Sequence, residues 1–317
     1  MIDFRYHLVS IVSIFLALAV GIVLGAGPLK EDIGNALTQQ TTALRADKAQ
    51  LRTELDAEKA GRVARDAFSA AVALAVVKGR LTGKTVALVV APGADGDLVK
   101  TTTASLVAAG AKLGSTVTLT DAWADPAKRT FRNTLATQLA ALVNAPVGAS
   151  SPDQLAATVL ARAILGGTDQ STETLNASAS AALEALKAGE LIAVSEQIVP
   201  SSSVVFLGGP VKGSSQEDTN ARLAAYVQLL RSLDAGGSGV VVATVSNTTD
   251  PSASTSLLAA IRKDSDAAKV ASTVDDADLS MGQTTLVLAL AQQYAGGAGQ
   301  YGLAADAKAI APDTAVK

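Results

Sequence analysis

The sequence predicts an α/β protein with one N-terminal transmembrane helix, a coiled-coil stalk, and a mostly parallel, Rossmann-like α/β domain that carries a helical insertion. Three observations predict this order. An apolar run without charge lies near the N-terminus, a polar segment with leucine every seven residues follows it, and short β-branched runs then alternate with Ala-rich segments. These patterns predict an anchor over residues 1–28, a stalk over 29–80 and an extracytoplasmic domain over 81–317, with the insertion at about 126–190.

The apolar run from Leu8 to Gly27 predicts the anchor. At ~1.5 Å per helical residue it extends roughly 30 Å, which is the thickness of the hydrocarbon core of a bilayer. Arg5 on the short N-terminal side favours a cytoplasmic N-terminus, so that the bulk of the chain lies in the cell envelope. The alternative is a cleaved secretory signal, whose apolar core is usually shorter, about 7 to 15 residues.

Two surfaces in the first part of the chain predict a homodimer. Ala17, Gly21 and Gly25 form a small-residue face on the membrane helix, and small residues four apart let two helices approach closely. In the stalk, apolar residues at heptad-like spacing predict a coiled-coil seam. Leu37, Leu44 and Leu51 recur every seven residues, and Ile33 and Leu55 complete a second, weaker row. Thr41 and Lys48 interrupt the row, and the alternative is a single amphipathic helix lying on the following domain.

The domain's secondary structure is predicted from its alternating patterns. The strands are expected at 85–90, 116–120, 191–194, 203–207, 239–245 and 270–274. The helices are expected at 98–109, 131–143, 152–165, 173–188, 221–233, 256–261 and 282–294. Continuous apolar strands separated by helices predict a mostly parallel sheet that is covered on both faces. The tail, 295–317, is predicted to be a loop over the domain.

The composition excludes several classes of function. The 317 residues carry a net charge of -3, with no cysteine, one histidine (His7) and two methionines (Met1 and Met281). No clustered basic face is present, which argues against a nucleic-acid partner. Cu(I) prefers thiolate and thioether ligands, whereas Cu(II) and zinc favour imidazole, so a metal site here would consist of carboxylate and carbonyl oxygens. A Ser-His-Asp triad would need His7 on the cytoplasmic side, so no catalytic residue and no cofactor are predicted.

One candidate metal site is the densest group of carboxylates, Asp275, Asp276 and Asp278. Oxygen ligands of this kind suit calcium or magnesium. The alternative is a solvated start of the helix that follows, where acidic residues interact favourably with the helix dipole.

A candidate ligand crevice is predicted at the carboxyl ends of the strands, where open α/β sheets bind their ligands. Asp95, Asp97, Gly208 and Gly209 follow two of the strands. Asp121 and Asn247 are expected at neighbouring strand ends. The alternative reading of all these residues is tight turns and helix caps.

Four segments of the chain resemble one known family. They are the start FRYHLVSIVSIFLALAVGIVLGAGPL, the polar coiled segment behind it, the strand TVALVVAPGAD and the C-terminal GQTTLVLALAQQYAGGAGQYG. Over essentially the whole chain they are similar to the actinobacterial MctB-type family of copper transporters. This resemblance implies a single-pass envelope protein associated with copper homeostasis. Members of the family, under the name SteB, are also described as partners of the membrane protein SteA in cell separation, where they promote peptidoglycan hydrolase activity through a coiled coil.

The two functions implied by the resemblance make different chemical demands. A copper conduit needs soft or imidazole ligands or a pore, and the family's tail motif GHYG reads Gly299-Gln300-Tyr301-Gly302 in this chain, without the histidine. A scaffold needs an anchor, a dimerising stalk and a protein-binding domain. We therefore expect a dimeric, non-enzymatic envelope protein that regulates a peptidoglycan hydrolase with a SteA-like partner. Copper transport is the alternative, and a degenerate α/β enzyme or sugar-binding domain that uses the 91–97 and 208–210 loops is the third hypothesis.

Overall fold

The computed structural model describes residues 4–26, 28–146, 152–165, 177–195, 199–245 and 257–313. The chain divides into two compact units, Met1–Arg65 and Asp66–Lys317. Two helices, α1 (Phe4–Ala26) and α2 (Pro28–Val77), precede the first strand. The sequence predicts that the α/β domain begins at residue 81, whereas the second compact unit begins at Asp66, inside α2.

Helix α1 contains the apolar segment that the sequence predicts. Phe4–Val23 has a mean hydropathy of 2.3, none of it is buried, and within the described residues it is the one helix long and apolar enough to cross a membrane. A signal sequence has the same properties. Helix α2 is rich in Ala, Leu, Gln, Lys, Arg and Glu, which are strong helix formers. Its 50 residues would extend roughly 75 Å as a straight helix.

The second unit is built on one seven-stranded sheet. Its strands are β1 (Thr85–Val90), β2 (Lys112–Leu119), β3 (Ile192–Val194), β4 (Ser203–Leu207), β5 (Val240–Ala243), β6 (Ala271–Val274) and β7 (Gln300–Tyr301). Their order in the sheet is β3-β2-β1-β4-β5-β6-β7, and every neighbouring pair is parallel except β2 and β3. The prediction of a mostly parallel sheet is confirmed.

Nine helices of this unit follow β1 in the described residues. They are α3 (Gly96–Ala108), α4 (Asp121–Ala124), α5 (Arg129–Leu139), α6 (Pro152–Ile164), α7 (Ala177–Ala188), α8 (Gln216–Gly236), α9 (Leu257–Lys263), α10 (Ala267–Val270) and α11 (Ser280–Tyr294). Short 3-10 turns at Pro126–Lys128 and Ala140–Val143 flank α5. The predicted helical insertion corresponds to α5, α6 and α7, which lie between β2 and β3.

The central strands β1, β4, β5 and β6 are buried on both faces because helices cover each side of the sheet. Alternate side chains of a strand point to opposite faces. On β4, Val204 and Phe206 join one apolar cluster, whereas Val205 and Leu207 join the other. This two-sided burial explains why the strands are continuous apolar runs in the sequence.

The last three turns of α2 belong to the second unit. Val77 is 4% exposed and lies in the same apolar cluster as Leu81. The backbone N–H of Ser280, at the start of α11, donates a hydrogen bond to Asp66 Oδ1 at 3.1 Å. After Val77 the helix ends, and Gly79 adopts a φ of +79°, the left-handed conformation that glycine reaches without strain.

Several predicted boundaries are corrected. Strand β2 begins at Lys112 and not at 116, because Gly114 allows the chain to pass so close to Ser201 that a Cβ at 114 would lie 1.8 Å from Ser201 Oγ. The predicted loop of the tail contains β7, and α4 and α10 were not predicted. The start of the helix predicted at 173–188 and residue 256 lie outside the described residues.

Candidate functional site

The leucine row of α2 lies open in the first unit. Leu37, Leu44 and Leu51 are spaced by seven residues and are 62%, 68% and 64% exposed, and Leu55 is 53% exposed. Residues seven apart project from the same side of a helix, so the leucines form an apolar stripe, which Thr41 and Lys48 interrupt. Such a stripe is the surface that a coiled coil would bury. Pairing of this stripe stays a prediction.

Polar residues interrupt and end the stripe. Thr41 turns back onto its own helix, where its Oγ1 donates to the Leu37 carbonyl oxygen at 2.7 Å. Beyond Leu55, Arg65 Nη2 lies 3.8 Å from Glu58 Oε2 on the exposed surface. An exposed ion pair of this kind stabilises a helix by little, about 0–1 kcal/mol. The apolar stripe of the first unit is therefore centred on residues 37–55.

The small-residue face of α1 is also open. Ala17, Gly21 and Gly25 follow one another at intervals of four on the helix. A Cβ built on Gly21 or Gly25 would meet no heavy atom of the described chain within 4 Å. The face thus has the room that close approach of a second helix requires. The side chain of Ile33 lies outside the described residues.

A crevice lies at the carboxyl ends of β1, β2 and β4 in the second unit. We call this cavity of about 310 Å³ the carboxyl-edge crevice. It is lined by Pro92, Gly93, Asp121, Pro210, Val211, Lys212, Arg222 and Tyr226. Strands β1 and β4 are neighbours in the sheet, but the connection from β1 leads to β2 on one side and that from β4 leads to β5 on the other. Open α/β sheets bind ligands at such a reversal of strand order.

The four residues predicted for a crevice sit beside this cavity and do not line it. Asp95 caps α3, because its Oδ1 accepts hydrogen bonds from Asp97 N (2.7 Å) and Leu98 N (3.3 Å). Asp97 is exposed and lies 3.0 Å from Lys100 Nζ. Gly208 and Gly209 serve close packing: a Cβ on Gly209 would lie 2.4 Å from the Pro92 carbonyl oxygen. Asp121 does line the crevice, and Asn247 lies outside the described residues.

Three polar residues that line the crevice, Lys212, Arg222 and Tyr226, were not predicted from the sequence. Tyr226 is 4% exposed, and its ring packs edge to face on Phe206 at a centroid distance of 6.0 Å. Burial, and then the negative charge of Asp121, raises the pKa of Tyr226 to about 12, so the hydroxyl stays protonated at neutral pH. Lys212 and Arg222 supply the positive charges.

Arg222 is held in place by two carboxylates. Its Nε donates to Asp218 Oδ1 at 3.0 Å, and its Nη2 lies 3.7 Å from Asp125 Oδ1. A hydrogen bond from the Ser214 backbone N–H lowers the pKa of Asp218, and the bond from Arg222 lowers it further, against the opposing effect of burial. The sequence signal for this group is the i, i+4 spacing of 218, 222 and 226 on the helix that follows β4.

The three acidic residues predicted as a metal site lie in different surroundings. Asp275 pairs with Arg262 Nη2 at 2.8 Å, and its Oδ1 accepts from the backbone N–H groups of Leu303 (2.7 Å) and Ala304 (3.1 Å). Asp276 is fully buried, and Asp278 is exposed. Within the described ranges, no three His, Cys, Asp or Glu side chains are placed to hold a metal ion.

Asp276 is an unusual buried acid. Among the described residues, neither of its carboxylate oxygens has a hydrogen-bond partner. Burial, and then the neighbouring charge of Asp275, raises the pKa of Asp276 to about 6. Gly282 makes the close approach possible, since a Cβ there would lie 2.8 Å from Asp276 Oδ1.

Gln300 is a structural residue of β7. It is 2% exposed, and its Nε2 donates to the carbonyl oxygens of Ala268 (2.9 Å) and Ala271 (3.2 Å). Its Oε1 accepts from Thr273 Oγ1 at 2.7 Å. These bonds attach the tail to α10 and β6.

Comparisons with known proteins give one consistent result. A family model described as copper transport outer membrane protein, MctB, matches residues 1–312. The chain is similar to proteins called copper transporter MctB from Mycobacterium bovis and Mycobacterium tuberculosis, each 28% identical over 315 residues that cover 95% of this chain and 96% of the relative. A protein of the same name from Mycobacterium leprae is 26% identical over 364 residues, which cover 98% of this chain and 99% of the relative.

Proposed function

From the premise that this chain belongs to the MctB family, we propose that it is a non-enzymatic, membrane-anchored envelope protein that acts as a homodimer through protein contacts. The single observation that supports this proposal is the exposed leucine stripe of α2. On an isolated helix, three leucines at heptad spacing stay exposed to water, whereas a two-stranded coiled coil buries them.

The energetics of pairing require the anchor as well as the stalk. Full burial of a leucine side chain contributes about 1.5–3 kcal/mol, and these leucines are already a third to a half buried by their own helix. The four leucines of each of two copies would then contribute roughly 8–14 kcal/mol in total. Association of two molecules costs about 4–15 kcal/mol. The stalk alone therefore pairs weakly, and contact of two α1 helices through Ala17, Gly21 and Gly25 would raise its effective concentration.

The orientation and partner follow from the same proposal. Helix α1 spans the membrane with Arg5 on the cytoplasmic side, and the α/β unit lies in the envelope. The paired stalk then offers a surface to a SteA-like membrane protein, and through it regulates a peptidoglycan hydrolase during cell separation. The second unit is Rossmann-like in this proposal: its strand order β3-β2-β1-β4-β5-β6 is that of the doubly wound fold, with the difference that β3 is antiparallel.

Copper transport is the second candidate, because the relatives carry that name. The ligand content disfavours it: the chain has no cysteine and one histidine, His7, which the proposed topology places near the cytoplasm. Met281, at the start of α11, is the one thioether beyond the anchor. Titration of the full chain in detergent with Cu(I) and Cu(II) distinguishes the two candidates, since stoichiometric, tight copper binding would favour transport.

Dimerisation is tested by changing Leu37, Leu44 and Leu51 together to Asp in the full chain. Three carboxylates in the seam replace apolar contact by repulsion, so we expect site-specific crosslinking between copies to fall at least tenfold. The matched control changes three exposed residues on the opposite side of the same turns of α2, namely Gln39, Ala46 and Thr53, to Asp. Crosslinking that survives in the leucine variant, or falls equally in both, would contradict the proposal. Daughter-cell separation measured with the same two variants tests the proposed role.

A further inference from the structure

The carboxyl-edge crevice has the size and position of a small-molecule site. Its volume of about 310 Å³ is near the lower end of the range of ligand pockets, roughly 300–1,000 Å³. The loops after β1 and β4 form two of its walls and helix α8 forms a third. The crevice lies wholly in the second unit, so it does not depend on pairing of the stalk.

The observation that points to a ligand is the hydroxyl of Tyr226. This side chain is 4% exposed and lines the crevice, yet its hydroxyl makes no hydrogen bond in the part of the chain that the structure describes. Most of the side chain is buried, while the hydroxyl opens to the crevice, where it can donate and accept hydrogen bonds. The ring is fixed by its contact with Phe206, so the hydroxyl is held in place for a partner that enters the crevice.

The charged groups of the crevice nearly offset one another, with two positive and three negative side chains. Lys212 and Arg222 are positive, and Asp121, Asp125 and Asp218 are negative at or behind the wall. Arg222 is already paired with two of these carboxylates. A site with this balance attracts neither anions nor cations strongly, but it offers hydrogen-bond donors and acceptors side by side.

Phosphate groups are disfavoured by two further contacts. The backbone N–H groups at the start of α3 are bound by Asp95. At the start of α8, Ser214 N donates to Asp218 Oδ2 (2.7 Å), and Asp218 N donates to Ser215 Oγ (3.1 Å). A helix N-terminus binds an anion through these N–H groups, and here the chain's own side chains hold them. The contact of Gly209 with Pro92 also closes the gap between the two loops.

We propose that the carboxyl-edge crevice binds a neutral, hydroxyl-rich ligand of monosaccharide size. Asp121 accepts hydrogen bonds from ligand hydroxyls, Lys212 and Arg222 donate to them, and the Tyr226 hydroxyl does both. Pro92, Pro210 and Val211 provide an apolar wall for the C–H groups of a sugar ring.

The test uses the full chain in a detergent without a sugar headgroup, because an alkyl glycoside would itself occupy the crevice. Saturation-transfer NMR is recorded with glucose, galactose, mannose and N-acetylglucosamine at millimolar concentration. Inorganic phosphate and alanine serve as anionic and zwitterionic comparisons. We expect saturable binding of at least one sugar and none of either comparison compound.

Two variants locate the binding. Tyr226→Phe removes one hydroxyl that has no protein partner, and Asp121→Asn removes one charged acceptor, so each should weaken sugar binding about tenfold while leaving the fold intact. The matched control is Tyr294→Phe, because the Tyr294 hydroxyl lies 2.7 Å from Ser202 Oγ and 2.6 Å from Ser203 Oγ at the opposite edge of the sheet. Binding should be unchanged in this control.

Three results would overturn the proposal. They are absence of saturable binding by every sugar, binding of phosphate or alanine in place of sugar, and sugar binding that persists unchanged in both crevice variants. The circular dichroism spectrum of each variant establishes that a loss of binding is not a loss of fold.

Discussion

Replacing Asp276 by Asn should stabilise the second unit at neutral pH and leave its stability unchanged in acid. The carboxyl group of Asp276 is buried without a hydrogen bond in the described residues, with Asp275 and Asp278 nearby and Arg262 as the opposing charge. Its pKa is raised from 3.8 to about 6. The folded protein therefore binds this proton more tightly than the unfolded chain does.

The sign of the effect follows from this linkage. Below pH 3.8 the group is protonated in both states, so it adds no charge penalty to folding. Between pH 3.8 and about 6 the unfolded chain has released this proton while the folded protein still holds it, so the free energy of unfolding falls as the pH rises and becomes constant above about 6. The difference between a pKa of 3.8 and one of about 6 corresponds to roughly 2–3 kcal/mol. Asn has nearly the shape of the protonated acid and does not ionise, so the variant keeps this stability above pH 6.

The assay is urea unfolding of the full chain at several pH values between 4 and 8. Trp123, the chain's one tryptophan, is 2% exposed in the second unit, so its fluorescence reports the unfolding of this unit. The difference between variant and wild type should grow from near zero at pH 4 to about 2–3 kcal/mol at pH 8. Asp97→Asn is the control, because Asp97 lies on the surface. A difference that is constant with pH, or a variant that is less stable at pH 8, would refute the reasoning.

The remaining predictions concern three contacts of the second unit. Gln300→His should lower the free energy of unfolding by about 1–3 kcal/mol, because it disrupts three hydrogen bonds of the Gln300 side chain. Isothermal titration of this variant with copper should show no gain in binding. Tight copper binding would contradict the structural role of this residue. Arg262→Met should lower the free energy of unfolding by about 3–5 kcal/mol, since Asp275 would lose its buried partner, and unchanged urea stability would refute this. Gly209→Ala should lower the thermal midpoint by several degrees, because the new Cβ would overlap the Pro92 carbonyl oxygen; an unchanged midpoint would show that the two loops separate freely.

Much of the fold follows from the sequence because burial on both faces leaves a strong pattern. Strands β1 and β4 were predicted with the bounds the structure has, since each is an uninterrupted run of apolar residues after its first residue. Strand β7 has no such pattern: Gln300 and Tyr301 are polar, and the pairing depends on side-chain bonds to β6. The early part of β2 was missed for a related reason, because Lys112 and Gly114 have low strand propensity and tertiary contacts decide the conformation.

Only part of the carboxyl-edge crevice could be predicted from the sequence. Its position after β1 and β4 was predicted from topology, and Asp121 was expected at a neighbouring strand end. Arg222 and Tyr226 were not, because they lie far along the chain from β1 and reach the crevice only when α8 packs on the sheet. Conversely, Asp95 was a candidate for the crevice because its loop follows a strand, and the alternative, a helix cap, is the one that the structure has: its carboxylate caps α3.

The attachment of α2 to the second unit determines where this protein can be cut. A fragment that begins at residue 81 would lack Val77 from the apolar cluster and the bond from Ser280 to Asp66. Exposed apolar surface left by such a cut favours aggregation. A soluble fragment suited to crystallisation should therefore begin at or before Asp66, and limited proteolysis of the full chain should spare the last three turns of the helix.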